Sequence, residues 1–406
     1  MLRYLLYHPH GNENVRHLLQ TLVTDGRLSR FFTSIAVFTG TLLFRMGKIP
    51  GLHFLLRRRY ADNLHCHTTS FPFITLLFRL PKLQRLFIKK EQDLNGFLQQ
   101  RIARRMKRKS YDYDVVYCYP NGAADIFHEA KTQGKICVYE YPIAYYDEIR
   151  RIQKEEQQHS KHWRDTKIMY KTESSRQMID KELELADIII VPSQYIRGTL
   201  LAGGCPMEKV HVVPYGFANV KPKQYTPVAD RKLQVLFVGG LYWLKGATYL
   251  IEAMNQLSAK IHLTLIGTGP DSEALQAMTE GDSCTFLGSV GHDEVLRQMQ
   301  SNDILILPSL SDGCPLVTLE AMSVGTPVVL TDKCGSMQWI EHGRNGWIIP
   351  SRSTQAIVDV LSDIAAHPSQ IETVGREAQN VAAQWSWDDY GKAVTSLVSK
   401  NAVKNT

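Results

Sequence analysis

The sequence predicts a doubly wound α/β protein of two or three domains, and three observations carry the prediction. At 406 residues and 44% apolar content, the chain is too long for one ordinary core and too apolar to be disordered. Short apolar runs bounded by polar turns, as expected of strands buried on both faces, recur through both halves and alternate with helical stretches. Strand, glycine-bearing loop and helix follow one another at residues 3–23 and again at 233–257, the way a doubly wound sheet opens. A stretch with Pro222 and Pro227, residues 215–228, separates the halves. The domains are therefore predicted as 1–215 and 216–385, with a last helix at 386–406.

In the first half, residues 3–7 read as a buried strand, because the apolar run there is too short for the centre of a signal peptide. The loop His8-Pro9-His10-Gly11-Asn12-Glu13-Asn14 follows, then a helix over 15–23 with Asn14 as its N-cap. Gly11 suits close backbone approach to a phosphate or sugar, and equally a simple turn. Residues 114–119 (DVVYCY), 135–139 (KICVY) and 186–193 read as parallel-type strands, and VHVVPYG at 210–216 closes the half. Asp112-Tyr113-Asp114 has the spacing of a metal-binding carboxylate pair but precedes its strand, so it reads as punctuation and no metal site is predicted. The highly charged span 145–176 reads as a long exposed helix.

Charge is unevenly spread. Residues 1–110 hold 20 Lys and Arg against 5 Asp and Glu, while the other 296 residues hold 27 against 35. Within about 47–109, Arg57-Arg58-Arg59 follow Leu55-Leu56, and Leu83, Leu86 and Phe87 share a helix face among Lys82, Arg85, Lys89 and Lys90. A second pattern, Leu94, Leu98 and Ile102, ends in Arg101, Arg104, Arg105, Lys107, Arg108 and Lys109. This span is predicted as a basic amphipathic insertion. Such helices bind anionic membrane surfaces, and equally their apolar faces can be core and their basic faces solvated. No recognised nucleic-acid module is present. The longest uncharged stretches, 31–44 and 63–78, fall short of the roughly 20 apolar residues of a membrane span. Seven cysteines, odd in number and free of CxxC pairs, point away from a disulfide framework or zinc site and towards a reducing cytosol.

The second half opens with LQVLFV at 233–238, which leads through Gly239-Gly240-Leu241-Tyr242-Trp243-Leu244-Lys245-Gly246 into a helix over 247–257. Glycines and a lysine between strand and helix suit a diphosphate: the backbone can approach it and the ammonium neutralises charge. A strand at 262–266 ends at Gly267-Thr268-Gly269-Pro270, and one at 284–288 ends at Ser289-Val290. A helix at 292–300, an edge-type strand at 345–349 and helices at 354–366 and 370–384 complete the half. Its centre is LPSLSDGCPLVTLEAMSVGTPVVL at 307–330. Here a strand breaks at Pro308, a loop holds Ser309, Ser311, Asp312 and Gly313, and a helix carrying Glu320 follows Cys314-Pro315-Leu316. A helix N-terminus leaves backbone N–H groups without helical partners. With two carboxylates eight residues apart, it suits a ligand bearing both phosphate and hydroxyl groups.

This stretch resembles the donor-site signature of glycosyltransferase family 4, retaining enzymes of the GT-B fold: Glu, seven residues, Glu, within proline-serine, Leu-Glu-Ala-Met and Gly-Thr-Pro-Val-Val context. Asp312 stands where the family has its first Glu. The resemblance covers nearly the whole second half and, loosely, the first. It implies two Rossmann-like domains facing across a cleft, the nucleotide held mainly by the second, and the 386–406 helix crossing back to the first. By the same resemblance Glu320 would hold the ribose hydroxyls, Lys245 the diphosphate, and Asp312 with the backbone of Gly313 and Cys314 the sugar, beside Pro315 and Leu316. Gly239, Gly240, Gly267, Gly269 and Val290 would line the nucleotide. Two family features are missing. The Arg that usually follows the loop's first glycine is Gly240, with Arg197 a candidate to replace its charge. The histidine near the first domain's strand ends has no match: the nearest positions hold Tyr117, Tyr119 and Tyr141 with Glu140 beside them, and His10 or His128 could substitute, so His10, Gly11 and Tyr141 are the candidates on that side.

The function implied is transfer of a sugar from a UDP- or GDP-sugar with retention, without metal or cofactor, the leaving group being stabilised by Lys245 and helix N-termini. The acceptor would be a lipid-linked, polysaccharide or cell-envelope glycan lying against the first domain. The location implied is cytoplasmic, peripheral on the inner face of the cell membrane, with no nucleic-acid partner. An epimerase or hydrolase on the same fold, or a non-catalytic nucleotide-sugar-binding protein, would use the same residues. Base, sugar, acceptor and oligomeric state are not encoded in these motifs.

Overall fold

A computed structural model of the chain describes residues 1–78, 94–159, 173–226, 228, 231–257 and 259–404. Two parallel sheets are the frame. The first has the strand order β3-β2-β1-β4-β5-β6-β7, from β1 (Tyr4–Tyr7), β2 (Leu28–Thr33), β3 (Thr68–Ser70), β4 (Val115–Cys118), β5 (Ile136–Glu140), β6 (Ile188–Val191) and β7 (Val210–Val212). The second has the order β10-β9-β8-β11-β12-β13, from β8 (Leu233–Val238), β9 (Ile261–Ile266), β10 (Cys284–Gly288), β11 (Ile304–Leu307), β12 (Val328–Thr331) and β13 (Trp347–Ile349). Both are Rossmann-like. The winding reverses between β1 and β4 in one sheet and between β8 and β11 in the other, and a crevice opens beyond the carboxyl ends of strands at such points. The loops after β1, β4, β8 and β11 are thus where the fold puts a site. Central strands such as VVYC in β4, IIIV in β6 and ILIL in β11 are wholly buried, which is why they read as continuous apolar runs.

The described part of the segment around 47–109 takes part in the first sheet. It supplies β3, the edge strand that pairs in parallel with β2 through Phe31–Thr68, Phe32–Thr69 and Thr33–Ser70. The helix Leu94–Arg108 packs on the helix Ala124–Thr132 and buries Leu98, Ile102 and Met106. Its apolar face is therefore core, and Arg101, Arg104, Lys107 and Arg108 are exposed. The other basic pattern, from Lys82 to Lys90, lies outside the described residues. The charged span 145–176 holds two helices, Tyr146–His159 and Glu173–Leu185, and the first is not simply exposed: Tyr146, Ile149, Ile152 and Glu156 are buried. No helix among the described residues is long and apolar enough to cross a membrane.

The chain crosses between sheets twice, and the crossings lie side by side. Phe217 pairs in parallel with Ser386, and its N–H donates to the Trp385 carbonyl at 3.0 Å. The final helix, Trp387–Lys404, then packs against the first helix, Glu13–Thr24, with the Trp387 indole stacked on the His17 ring at 4.4 Å. A fully buried carboxylate, Glu140 at the end of β5, ties these pieces together. It accepts from Asn14 Nδ2 (2.6 Å), Tyr117 Oη (2.6 Å), Tyr215 Oη (2.9 Å) and Tyr390 Oη (2.8 Å). Asn14 is accordingly not a cap. The first helix starts at Glu13 after Asn12, and Asn14 is turned inward by Glu140.

A second tie joins the domains. Glu156, 1% exposed, accepts from Tyr249 Oη (2.9 and 3.1 Å) and Arg352 Nε (2.5 Å), while Glu155 pairs with the same guanidinium at 2.9 Å. Arg352 has φ +60°, a left-handed conformation disfavoured for a side-chain-bearing residue and held here by these contacts.

Candidate active site

The loop after β8 and the loop after β11 meet. Leu310 N–H donates to Leu244 O (2.8 Å), and the Lys245 ammonium forms an ion pair with Asp312. The two side chains are 16% and 12% exposed, so the pair sits at the cleft floor but is reachable from it. Burial alone would pull the Lys245 ammonium down; Asp312 and then Tyr242 outweigh it and hold it above the usual lysine range. Lys245 is thus a fixed positive charge. The sequence reading assigned Lys245 and Asp312 to separate parts of a ligand, and the structure joins them.

Asp312 is itself anchored. Its N–H donates to Lys333 O (3.0 Å) and its carbonyl accepts from Gly335 N–H (2.8 Å). The helix Leu316–Val324 starts next to it after Pro315, with no side-chain cap, so its first N–H groups face the loop as an anion site. The Cys314 thiol is buried beside Ser336 Oγ (3.6 Å), and burial pushes it up to about 12, so it stays protonated and offers its backbone rather than a thiolate. Leu316 is half-buried beside it. Across the cleft, Gly313 approaches the first domain so closely that a Cβ would strike the Pro142 carbonyl, and Ser193 Oγ donates to Gly313 O at 2.7 Å. Tyr195 Oη donates to Ser311 Oγ at 2.8 Å. The loop after β11 is therefore held by both domains.

Two of the other glycines bring loops of the second domain together. Gly267, at φ +136°, lies against the Gly239 carbonyl, and Gly269 lies against the Leu241 carbonyl, where any side chain would strike backbone. Their smallness lets the loops after β8 and β9 pack on each other. A Cβ on Gly240 would meet the Tyr242 ring. Arg197, the candidate replacement cation, donates from Nε to Val210 O (3.5 Å) in its own domain.

Glu320, 19% exposed, faces the first domain. His292 Nδ1 lies 3.9 Å from its Oε1, and Val290 is half-buried two residues before that histidine. Burial pushes the Glu320 carboxyl up, with His292 opposing and Glu13 of the first helix adding to the rise. Glu13 in turn pairs with His17 Nε2 at 3.2 Å.

On the first-domain side, His10 is exposed, and Arg58 holds its carbonyl and its ring nitrogen. The buried histidine at the end of β1 is His8, which sequence reasoning passed over. Its Nδ1 accepts from His10 N–H (3.0 Å) and Gly11 N–H (2.7 Å), and its ring meets Tyr119 edge-on at 4.6 Å. Burial, then His10 and Arg58, pull its pKa to about 3, so it is neutral and an acceptor at Nδ1. Gly11 is buried at φ +63° against Tyr60. Tyr141 is buried with its ring beside Tyr139, and His128 is exposed on a helix. The position of His8 directly after an apolar strand was the signal available. Asp112 and Asp114 are engaged by Arg3, through its side chain and its N–H respectively, at the amino ends of β1 and β4. Among the described residues no group of three or more His, Cys, Asp or Glu is arranged to hold a metal.

Comparison with known proteins agrees with this architecture. Residues 232–367 match the model of glycosyl transferases group 1. The amylovoran biosynthesis glycosyltransferase AmsK of Erwinia amylovora is 31% identical over 192 residues, 43% of this chain and 46% of that protein. A D-inositol 3-phosphate glycosyltransferase of Paenarthrobacter aurescens is 28% identical over 225 residues, 48% of this chain and 54% of its own length. The chain thus spans about half the length of these relatives. Among solved structures, sucrose-phosphate synthase from Thermosynechococcus elongatus superposes with a TM-score of 0.74 at 18% identity, covering 100% of both chains. Anabaena HepE in complex with UDP superposes at 0.66 and 16% identity, over 98% of this chain and 100% of that one. The fold is GT-B, and the second domain carries the glycosyl transferases group 1 match that the 307–330 stretch led one to expect.

Proposed function

We propose that the chain is a retaining glycosyltransferase that moves a sugar from a nucleotide-sugar to a glycan acceptor. One observation carries the reading. At the carboxyl ends of β8 and β11, a lysine held in its charged form, an uncapped helix N-terminus and two partly exposed carboxylates converge on one cleft. A diphosphate would lie against Lys245 and the N–H groups before Leu316. Glu320 would accept the ribose hydroxyls, and Asp312 with the Gly313–Cys314 backbone would face the sugar. Charge developing on the departing diphosphate is met by the ammonium and the helix dipole, so no divalent ion is needed for that step. The names of the relatives support glycosyl transfer, and the UDP bound by the Anabaena neighbour supports a nucleotide-linked donor.

The test is product formation from UDP- and GDP-sugars with lipid-linked glycan acceptors, in excess EDTA. Transfer is expected to survive the chelator; activity restored only by manganese or magnesium would overturn the metal-free mechanism. Free sugar released without acceptor would favour a hydrolase, and binding without turnover a non-catalytic protein.

The acceptor side includes an anionic membrane surface in this reading. The net +15 of residues 1–110 supports it, as do exposed Arg101, Arg104, Lys107, Arg108 and Lys109 and exposed apolar Leu42 (72%) and Phe73 (87%). Each basic residue engaged at such a surface contributes about 1 kcal/mol. Flotation with anionic liposomes at low salt, lost at high salt and absent with neutral liposomes, is expected.

A further inference from the structure

Glu320 sits in a small constellation of charged groups. Its own helix, Leu316–Val324, packs against the helix His292–Ser301, whose first residue is His292. Among the described residues, His292 is the basic group within ion-pair distance of the carboxylate, and the 3.9 Å separation is informative. It is too long for a hydrogen bond and short enough for charge attraction. It also leaves a gap that one hydroxyl oxygen fills, donating to Oε1 and accepting from an imidazole N–H. On the first helix Glu13 and His17 lie 3.2 Å from each other, with Arg16 in the same turn, and the Glu13 charge acts on Glu320 and His292.

We propose that His292 is a specificity-determining residue of the site: with Glu320 it clamps the ribose diol of the nucleotide, one hydroxyl bridging imidazole and carboxylate. The inference rests on the nucleotide-sugar reading and deepens it. A vicinal diol matches the pair chemically, because a carboxylate can accept from both hydroxyls whereas only an added donor can recognise a hydroxyl's lone pair. Removing one hydroxyl leaves a polar partner unanswered, which is how a site rejects a deoxy analogue.

The charges around the clamp set the sign of its pH dependence. On the His292 helix, Asp293 and Glu294 share the first turn, and Glu294 is paired with Arg297. On the other flank, the helix Gln370–Ala382 carries Glu372, Arg376 and Glu377, with Arg376 paired to Glu372 and Glu377 to Arg344. Across the cleft Glu13 is like-charged to Glu320 and partly offset by His17 and Arg16. Burial raises the Glu320 carboxyl, so ribonucleotide binding falls as pH drops through that raised value. Loss of the His292 charge should move this acid limb to higher pH, and loss of the Glu13 charge should move it to lower pH.

The experiment is calorimetry on the full chain with UDP and GDP and their 2′-deoxy counterparts between pH 5 and 8. His292 is 62% exposed, so its substitution leaves folding intact. His292→Ala is expected to weaken the preferred ribonucleotide about five- to tenfold, as for one lost hydrogen bond, while leaving the deoxynucleotide unchanged. His292→Asn, a donor without charge, should restore the discrimination but not the acid limb, and Glu13→Gln should shift that limb oppositely to His292→Ala. If a ribonucleotide binds the parent but discrimination and acid limb are the same in His292→Ala, the clamp is wrong and the donor site stands. If neither UDP nor GDP binds the parent, the functional reading falls and takes the clamp with it.

Discussion

The two faces of the cleft use carboxylates in opposite ways. On the first domain, Glu140 and Glu182 are fully buried and saturated. Glu140 accepts four hydrogen bonds; Glu182 accepts from Tyr139 Oη (2.5 Å), Asn121 N–H (3.0 Å) and Ala123 N–H (2.7 Å). On the second, Asp312 and Glu320 are 12% and 19% exposed and have an ion pair each. A buried carboxylate is tolerated only when its lone pairs are answered within the protein. One left with acceptor capacity at a cleft wall can be answered by a ligand. Saturation, more than burial, separates the scaffold acids from the candidate functional ones.

The largest effect should come from breaking the saturated side. Glu140→Ala leaves three tyrosine hydroxyls and the Asn14 amide without their acceptor, and should cost about 3 kcal/mol or more in chemical denaturation. Glu320→Gln should instead leave stability unchanged or slightly raised, since a buried carboxyl with a raised pKa is not stabilised in its charged form. Equal losses from the two would erase the distinction.

On the cleft side, Lys245→Ala should weaken UDP or GDP about ten- to a hundredfold and spare the nucleoside, as for a charged hydrogen bond of about 1.5–3 kcal/mol. The ion pair sharpens the companion prediction. Asp312→Asn frees the ammonium, so diphosphate affinity should hold or rise while turnover falls. A non-additive double variant would measure the coupling. Glu320→Gln should weaken the nucleoside diphosphate by a similar ten- to a hundredfold. The smallest effect is expected at the domain tie: Tyr249→Phe removes one hydroxyl from Glu156, costing about 1 kcal/mol of stability and leaving nucleotide affinity as it was.

Most of the second domain was legible because its signals are local. Apolar runs four to six residues long became β8, β9, β11 and β12, and the 307–330 stretch holds Asp312, the helix start and Glu320 within nine positions. The first domain hid what depends on distant partners. β3 is Thr-Thr-Ser, a half-buried edge with no apolar run, and it exists because β2 offers it a partner. Asn14 has the composition of a cap, and only Glu140, 126 residues away, turns it inward. The same holds for the Lys245–Asp312 pair, which no spacing predicts because it forms between two strand ends of one sheet.

The final helix has a consequence for synthesis. Chains fold from the N-terminus as they emerge from the ribosome. Yet the first domain lacks Tyr390, Trp387 and the helix surface that covers its first helix until the chain past residue 387 is made. Until then Glu140 lacks one of its four donors and the first helix keeps an apolar flank in water. The first domain is begun before the second and sealed after it, so a nascent chain halted before residue 387 carries a complete second sheet beside an unsealed first one.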